Sequence, residues 1–311
     1  MPPSPFPVIV HPYPSPLPQS YAYELSHPAA SPSQPPPRNA IVFIGGLGDG
    51  PHTVPYVRAV ARALAGDGAG VGGTYSVFEA RLSSSFDGYG YATGGLAGDV
   101  AEVGALVRYL RGTLGKGRIV LMGHSTGCQD CMEYANYEKY NNSPVDGFIL
   151  QGSVSDREGL APLMDRAKMK ESLDFASRLI NDGKGDHIMP KDRLPEMLTT
   201  PITAYRWHSL AAVGGDDDYF SSDLPDEKVA EFWGRIQNPV LIVPSEKDEH
   251  VPEYVDFGKL VARWKSFCRP GIASELSGLI PGANHTVDQA EGREWLADRV
   301  VKFLASLEGG K

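Results

Sequence analysis

The sequence predicts an α/β fold: a mostly parallel central sheet with helices on both faces and an inserted helical cap. Three observations carry that expectation. Short apolar runs recur along the chain at 39–44 (NAIVFI), 118–122 (RIVLM), 147–150 (GFIL) and 239–243 (PVLIV). Runs of this length without alternation read as strands buried on both faces. Between them lie stretches with apolar residues at helical spacing, and strand alternating with helix implies parallel strands joined by crossovers. The alternation stops between 153 and 235, where helical stretches, Pro, Gly and charged loops succeed one another. A segment that long is a lid or cap rather than a connection.

In chain order, residues 1–38 hold half of the 26 prolines and read as an extended segment packed on the core, with two edge strands near 7–11 and 21–25. The strand at 39–44 runs into Gly45-Gly46-Leu47-Gly48-Asp49-Gly50, and a helix follows over 54–65. A strand at 74–79 leads to a polar, glycine-rich loop and then an amphipathic helix over 96–114. The strands at 118–122 and 147–150 flank a helix that begins after Gly127. Beyond the cap come the strand at 239–243, a helix over 254–267, a strand near 273–279 and a last helix over 287–307.

The totals narrow the function classes. The chain has 311 residues, 41% of them hydrophobic and 22% charged, which describes an ordinary globular chain able to bury a sizeable core. A net charge of -9 argues against nucleic acid or an anionic membrane as partner. No run approaches the length of a membrane span, and no secretory leader is visible. Three cysteines, Cys128, Cys131 and Cys268, make no disulfide framework. A reduced, cytoplasmic protein is the expectation.

The chemistry centres on Gly123-His124-Ser125-Thr126-Gly127, a G-x-S-x-G pentapeptide set between a buried strand and a helix. That context makes it a nucleophile elbow of the α/β-hydrolase kind, with Ser125 at the tip. A serine hydroxyl needs an adjacent base, and the base needs an acid to orient it. In this fold the order along the chain is Ser, acid, His. Asp248 lies just past the strand at 239–243, with Glu246 and Glu249 as alternatives, and His285 lies between the last strand and the last helix. His250 and His208 compete with His285, whereas His124 reads as structural. The oxyanion donors expected are the N–H of Thr126 and that of Leu47, with Gly46 as the alternative. This places the core at 39–152 and 236–311 and the cap at 153–235.

Other candidates are weaker. Cys128-x-x-Cys131 has redox spacing but falls on the elbow helix. Asp216-Asp217-Asp218 reads as a solvated loop or helix cap, with Asp217 a candidate for attracting a positively charged substrate group. Tyr205, Trp207, Tyr219 and Phe220 could line an acyl or alcohol pocket or form the cap's own small core. No metal or organic cofactor is required. The machinery also fits a lipase, thioesterase or acyltransferase, and a catalytically silent binding protein is the rival from another class.

The blocks FIGGLGD at 43–49, LSSSFDGYG at 82–90, GHSTGCQDCMEY at 123–134, PITAYRWHSL to GDDDYFSSDL within 201–224, and GANHTV at 282–287 resemble the fungal DUF1749-type α/β-hydrolase family, which includes the siderophore esterases. The resemblance implies hydrolysis of ester bonds in fusarinine-type hydroxamate siderophores, which link N-acylated hydroxyornithine units, and with it a role in intracellular iron release. It carries the family's Ser, Asp and His onto Ser125, Asp248 and His285. The implied partner is a small-molecule ester, an iron-loaded siderophore among the candidates.

Overall fold

A computed structural model of the chain describes residues 5–16, 20–25, 36–66, 70–84, 94–196 and 198–309. The strands are β1 (Val8–Pro12), β2 (Tyr21–Leu25), β3 (Asn39–Ile44), β4 (Tyr75–Arg81), β5 (Ile119–His124), β6 (Gly147–Gln151) and β7 (Val240–Ile242). The helices are α1 (Tyr56–Ala65), α2 (Leu96–Gly112), α3 (Thr126–Tyr134), α4 (Tyr137–Tyr140), α5 (Asp156–Leu160), α6 (Arg166–Asn181), α7 (Ala204–Ala211), α8 (Asp226–Gly234), α9 (Phe257–Phe267) and α10 (Ala290–Gly309). Most of the polar loop expected before α2, and part of the resemblance block at 82–90, lie outside the described residues.

The strands form one sheet in the order β1-β2-β4-β3-β5-β6-β7. β4, β3, β5, β6 and β7 pair in parallel, while β1 and β2 add antiparallel pairs at one end. Side chains alternate faces along a strand, and the central strands bury both. Ala40, Val42 and Ile44 of β3 join the apolar cluster that holds α2, α3, α8 and α9. Ile41 and Phe43 join the cluster that holds α1 and α10. Continuous apolar sequence is the consequence of this two-sided burial. Of the two N-terminal strands, β1 alone is an edge, and it ends at Pro12, whose missing N–H an outer strand tolerates.

The expected strand near 273–279 does not form. Its place is taken by isolated parallel bridges, Val240 with Ala273 and Ser245 with Ile280. Between them one side advances five positions (240 to 245) and the other seven (273 to 280). The two surplus residues loop out in a turn closed by Ser277 N–H donating to Ser274 O. The register breaks, but the segment still delivers the loop that carries His285. The last helix starts at Ala290 rather than 287, after a turn in which Val287 has a φ of 55°.

The segment after β6 divides by packing. Ala176, Met189, Ile202, Ala204, Trp207 and Leu210 form an apolar cluster of their own, with Leu47 of the core packed against it. By contrast Tyr219, Phe220, Leu224, Val229 and Trp233 belong to the main cluster beneath the sheet. Trp233 of α8 stacks on Trp264 of α9 with centroids 5.3 Å apart. The separate apolar body therefore ends near 211, whereas the boundary expected at 235 falls just after α8, a helix packed on the core.

Candidate active site

β5 ends at His124 and α3 begins at Thr126, which leaves Ser125 alone at the corner with φ 53° and ψ -125°. A non-glycine residue held there costs of order 1–3 kcal/mol, so the surroundings must enforce it. Close packing does so. A Cβ on Gly123 would lie 2.3 Å from Gly127 O, and one on Gly127 would lie 2.2 Å from Ile44 O. A Cβ on Gly46 would come within 2.6 Å of Ser125 Cβ. Strand, helix and the loop after β3 meet here with no space for a methyl group.

His285 and Asp248 come together. His285 Nδ1 lies 2.7 Å from Asp248 Oδ2, and both residues are buried. With Nδ1–H donated to the carboxylate, Nε2 holds the lone pair a general base needs. Asp248 Oδ1 accepts from His250 N at 3.1 Å, which fixes the carboxylate. The rival acids have other work: Glu249 accepts from His285 N at 2.9 Å and Glu246 from Gly282 N at 2.7 Å. The His250 ring packs edge-on against His285, centroids 4.6 Å apart. His208 lies in α7, at a different pocket. Burial pulls the His285 pKa down, but the hydrogen bond and charge of Asp248, with the charges of Glu249 and Asp49, outweigh it, and the net direction is upward.

No hydrogen bond joins Ser125 Oγ to the His285 ring; Gln151, at the end of β6, joins their two loops. Its carbonyl accepts from Ser125 N at 3.1 Å. Its side-chain nitrogen donates to His285 O at 3.1 Å and to Ser245 Oγ at 3.2 Å. Its side-chain oxygen accepts from His124 Nδ1 at 2.6 Å. Burial, then the neighbouring His285, push the His124 pKa down to about 4, so this ring is neutral and structural. Gly152 follows with a φ of 63°, and a Cβ there would stand 3.1 Å from His285 Cε1. The only trace of Gln151 in the sequence is one polar residue closing an apolar strand.

Two N–H groups are available for an oxyanion. Thr126 is the first residue of α3, where N–H groups lack intrahelical acceptors and the helix dipole favours negative charge. Gly46 N–H is already given to Asp49 Oδ2 at 2.8 Å, and Asp49 N–H returns to Gly46 O at 3.0 Å. Among the described residues Leu47 N–H has no protein acceptor. The geometry therefore favours Leu47 over Gly46. These residues border a narrow cleft, open to solvent, whose walls include Thr126, Asp99, Asp130 and Arg206.

The candidate substrate residues separate. Trp207 is fully buried and donates from Nε1 to Ser172 Oγ at 2.9 Å, inside the small apolar cluster. Tyr219 and Phe220 are buried in the main core. Asp217 is buried and paired with Arg206 at 2.6 Å, and Asp218 pairs with Arg157 at 3.2 Å, so this run is no solvated loop. None of these four (Trp207, Asp217, Tyr219, Phe220) offers a surface to a substrate. Tyr205 is 39% exposed, with its hydroxyl on Asp216, and lines a separate surface pocket with His208. Cys128 and Cys131 are buried free thiols whose pKa values burial drives up, as in inert structural cysteines. Among the described residues no three His, Cys, Asp or Glu side chains converge as a metal site, and no helix is long and apolar enough to cross a membrane.

Comparison with known proteins extends this geometry. The family model described as protein of unknown function, DUF1749, matches residues 1–305. A UPF0613 protein of Schizosaccharomyces pombe is 33% identical over 287 residues, covering 86% of this chain and 88% of that protein. The fusarinine C esterase sidJ of Aspergillus fumigatus is 30% identical over 324 residues, covering 86% of this chain and 89% of that protein. Among solved structures, the siderophore hydrolase EstB from Aspergillus fumigatus superposes with a TM-score of 0.77 at 27% identity, covering 99% of both chains.

Proposed function

The chain belongs to the DUF1749 family and has the α/β-hydrolase fold, and from that premise we propose that it is a serine carboxylic ester hydrolase acting on fusarinine-type hydroxamate siderophores. The observation that carries the reading is the buried His285–Asp248 hydrogen bond beside a serine held at positive φ on a strand–helix corner. Ser125 Oγ attacks the ester carbonyl as His285 Nε2 takes its proton. Asp248 holds the imidazole in the required tautomer and stabilises the imidazolium. The N–H groups of Thr126 and Leu47 receive the oxyanion, and loss of one such donor typically lowers turnover by about 10²–10³. His285 then protonates the leaving alcohol, and water, deprotonated by the same ring, releases the acyl group. The siderophore assignment is supported by the names of sidJ and EstB, to which this chain is similar.

The apolar body around Trp207 serves, in this reading, as a cap that packs on Leu47 and so tensions one oxyanion donor. Strands β1 and β2, within the Pro-rich N-terminal stretch, extend the sheet and take no part in the chemistry.

The test is product analysis by mass spectrometry after incubating the protein with ferric fusarinine C, with an aryl acetate as control. Linear fusarinine products are expected from the parent, with turnover reduced at least about 10³-fold in Ser125→Ala. Aryl acetate turnover with an intact siderophore would retain the serine chemistry and remove the substrate. No turnover of either would remove both.

A further inference from the structure

We propose that Asp49 is a positioning residue for the reaction: its carboxylate clamps the oxyanion loop after β3, and its charge favours the protonated His285 ring; the assignment rests on the serine-esterase reading. Residues 46–49 make a turn in which Asp49 N–H donates to Gly46 O at 3.0 Å, and Asp49 Oδ2 accepts the Gly46 N–H at 2.8 Å. One residue thus holds both polar groups of the Gly46 backbone. Leu47, whose N–H is the proposed second oxyanion donor, is the first central residue of that turn. The other carboxylate oxygen accepts from Thr53 Oγ1 at 3.0 Å, which ties the turn to the segment leading into α1. The turn has little slack. A Cβ on Gly45 would lie 3.0 Å from Asp49 Cβ, and one on Gly46 would lie 3.2 Å from Asp49 Oδ2. An oxyanion donor is effective when it is in place before the charge develops, so the side chain that fixes its turn acts on the transition state without touching it.

The charge has a separate effect. A neutral amide could make the same contacts, with its oxygen on Gly46 N–H and its nitrogen on Thr53 Oγ1. Asp49 carries a charge instead, and among the described residues no lysine or arginine lies within ion-pair distance of it. Its Oδ2 lies 3.6 Å from His124 Nε2, and the His124 ring packs against the His285 ring with centroids 4.8 Å apart. His124 gives Asp49 no hydrogen. Gln151 Nε2 donates to His285 O, so Gln151 Oε1 faces His124 Nδ1 and takes its hydrogen, which leaves Nε2 bare in the neutral ring. The Asp49 charge therefore acts across His124 on His285, where it adds to Asp248 and Glu249 in raising the pKa. The other titratable groups that act on this ring are His124, His250 and Asp156. All three stay in place in the variants below, so a shift in the profile reports position 49.

The experiment measures kcat and the pH profile of kcat/KM on the aryl acetate for the parent, Asp49→Ala and Asp49→Asn, with thermal melts to establish folding. Asp49→Ala loses the clamp. Its kcat is expected to fall at least about 10²-fold, as on removal of an oxyanion donor, with KM within about threefold of the parent. Asp49→Asn keeps an acceptor for the Gly46 N–H, so kcat on the alkaline plateau returns to within about threefold of the parent, while the acid limb moves to lower pH. Parent-like turnover in Asp49→Ala overturns the clamp, and an unmoved acid limb in Asp49→Asn overturns the charge. If Asp49→Ala does not fold, Asp49→Asn decides alone: an acid limb at lower pH with the plateau kept supports the assignment, and an unmoved limb or a plateau lost about 10²-fold overturns it. Folded parent protein that cleaves neither the aryl acetate nor the siderophore removes the esterase reading, and the role of Asp49 with it.

Discussion

His285 is held between opposed influences, and their balance is measurable. Burial disfavours its charged form, while Asp248, Glu249 and Asp49 favour it strongly enough to raise its pKa. In the proposed mechanism the neutral ring is the base, so kcat/KM should fall as pH drops through that pKa, with the acid limb above the usual histidine value near 6.5. Glu249→Gln keeps an acceptor for His285 N–H but removes a charge. Its acid limb moves to lower pH in a kcat/KM profile, and an unmoved limb would show that Glu249 only shapes the loop. Asp248→Asn also loses the tautomer control, and kcat falls by about 10⁴. At this scale the sequence was informative where chemistry demands a residue type at a set place. Ser125 and His285 followed from the pentapeptide and the order along the chain. Gln151 and Arg206 did not, because each acts through tertiary neighbours distant in sequence. Gln151 links His124, Ser125, Ser245 and His285, and a single glutamine after GFIL gives no hint of that.

Elements were legible where burial is two-sided. β3, β5, β6 and β7 are apolar on both faces and were expected within one or two residues of where they lie. The segment at 273–280 has a strand-like composition, yet its two surplus residues break the ladder, and register is a property of the pair rather than of either sequence. Helix α8 was assigned to the cap because its surroundings are irregular, while Trp233 commits it to the core. The cap's own cluster hinges on Trp207, whose indole is fully buried and tied through Ser172 to Arg193 O at 2.5 Å. Trp207→Ala removes a large side chain and orphans the Ser172 contact, which typically costs about 3–5 kcal/mol. Because Leu47 packs on this cluster, limited proteolysis should open the chain near 166–211 first, and esterase kcat should fall as well. Faster cleavage with unchanged kcat would separate the cap from the oxyanion donor.

Across the whole molecule, the site is assembled where the core sheet and the cap trap acidic side chains together. Arg206 reaches from α7 into a field set by Asp217, Asp99 and Asp156, so one buried guanidinium binds cap to core. The carboxyls around it exceed what it can neutralise. Asp99 and Asp156 are pushed up to about 7, in both cases chiefly by burial, and Asp130 is raised in the same direction. A carboxyl with a raised folded-state pKa binds its proton more tightly folded than unfolded. Its stabilising effect is full below the unfolded value near 4 and is lost as pH rises toward the folded value. The protein should therefore lose thermal stability between about pH 4 and pH 7, the window that separates the unfolded and folded values of Asp99 and Asp156. Asp156→Asn removes one of these charges and still offers an acceptor to Gln129 Nε2. It should raise Tm at pH 8 by about 2 °C, the order of shift expected from roughly 1 kcal/mol in a chain of more than 250 residues, with a smaller gain at pH 5, where the parent carboxyl is still protonated. A gain equal at both pH values would assign the effect to hydrogen bonding rather than charge. A loss at pH 8 would mean that the Asp156 carboxylate supports the fold.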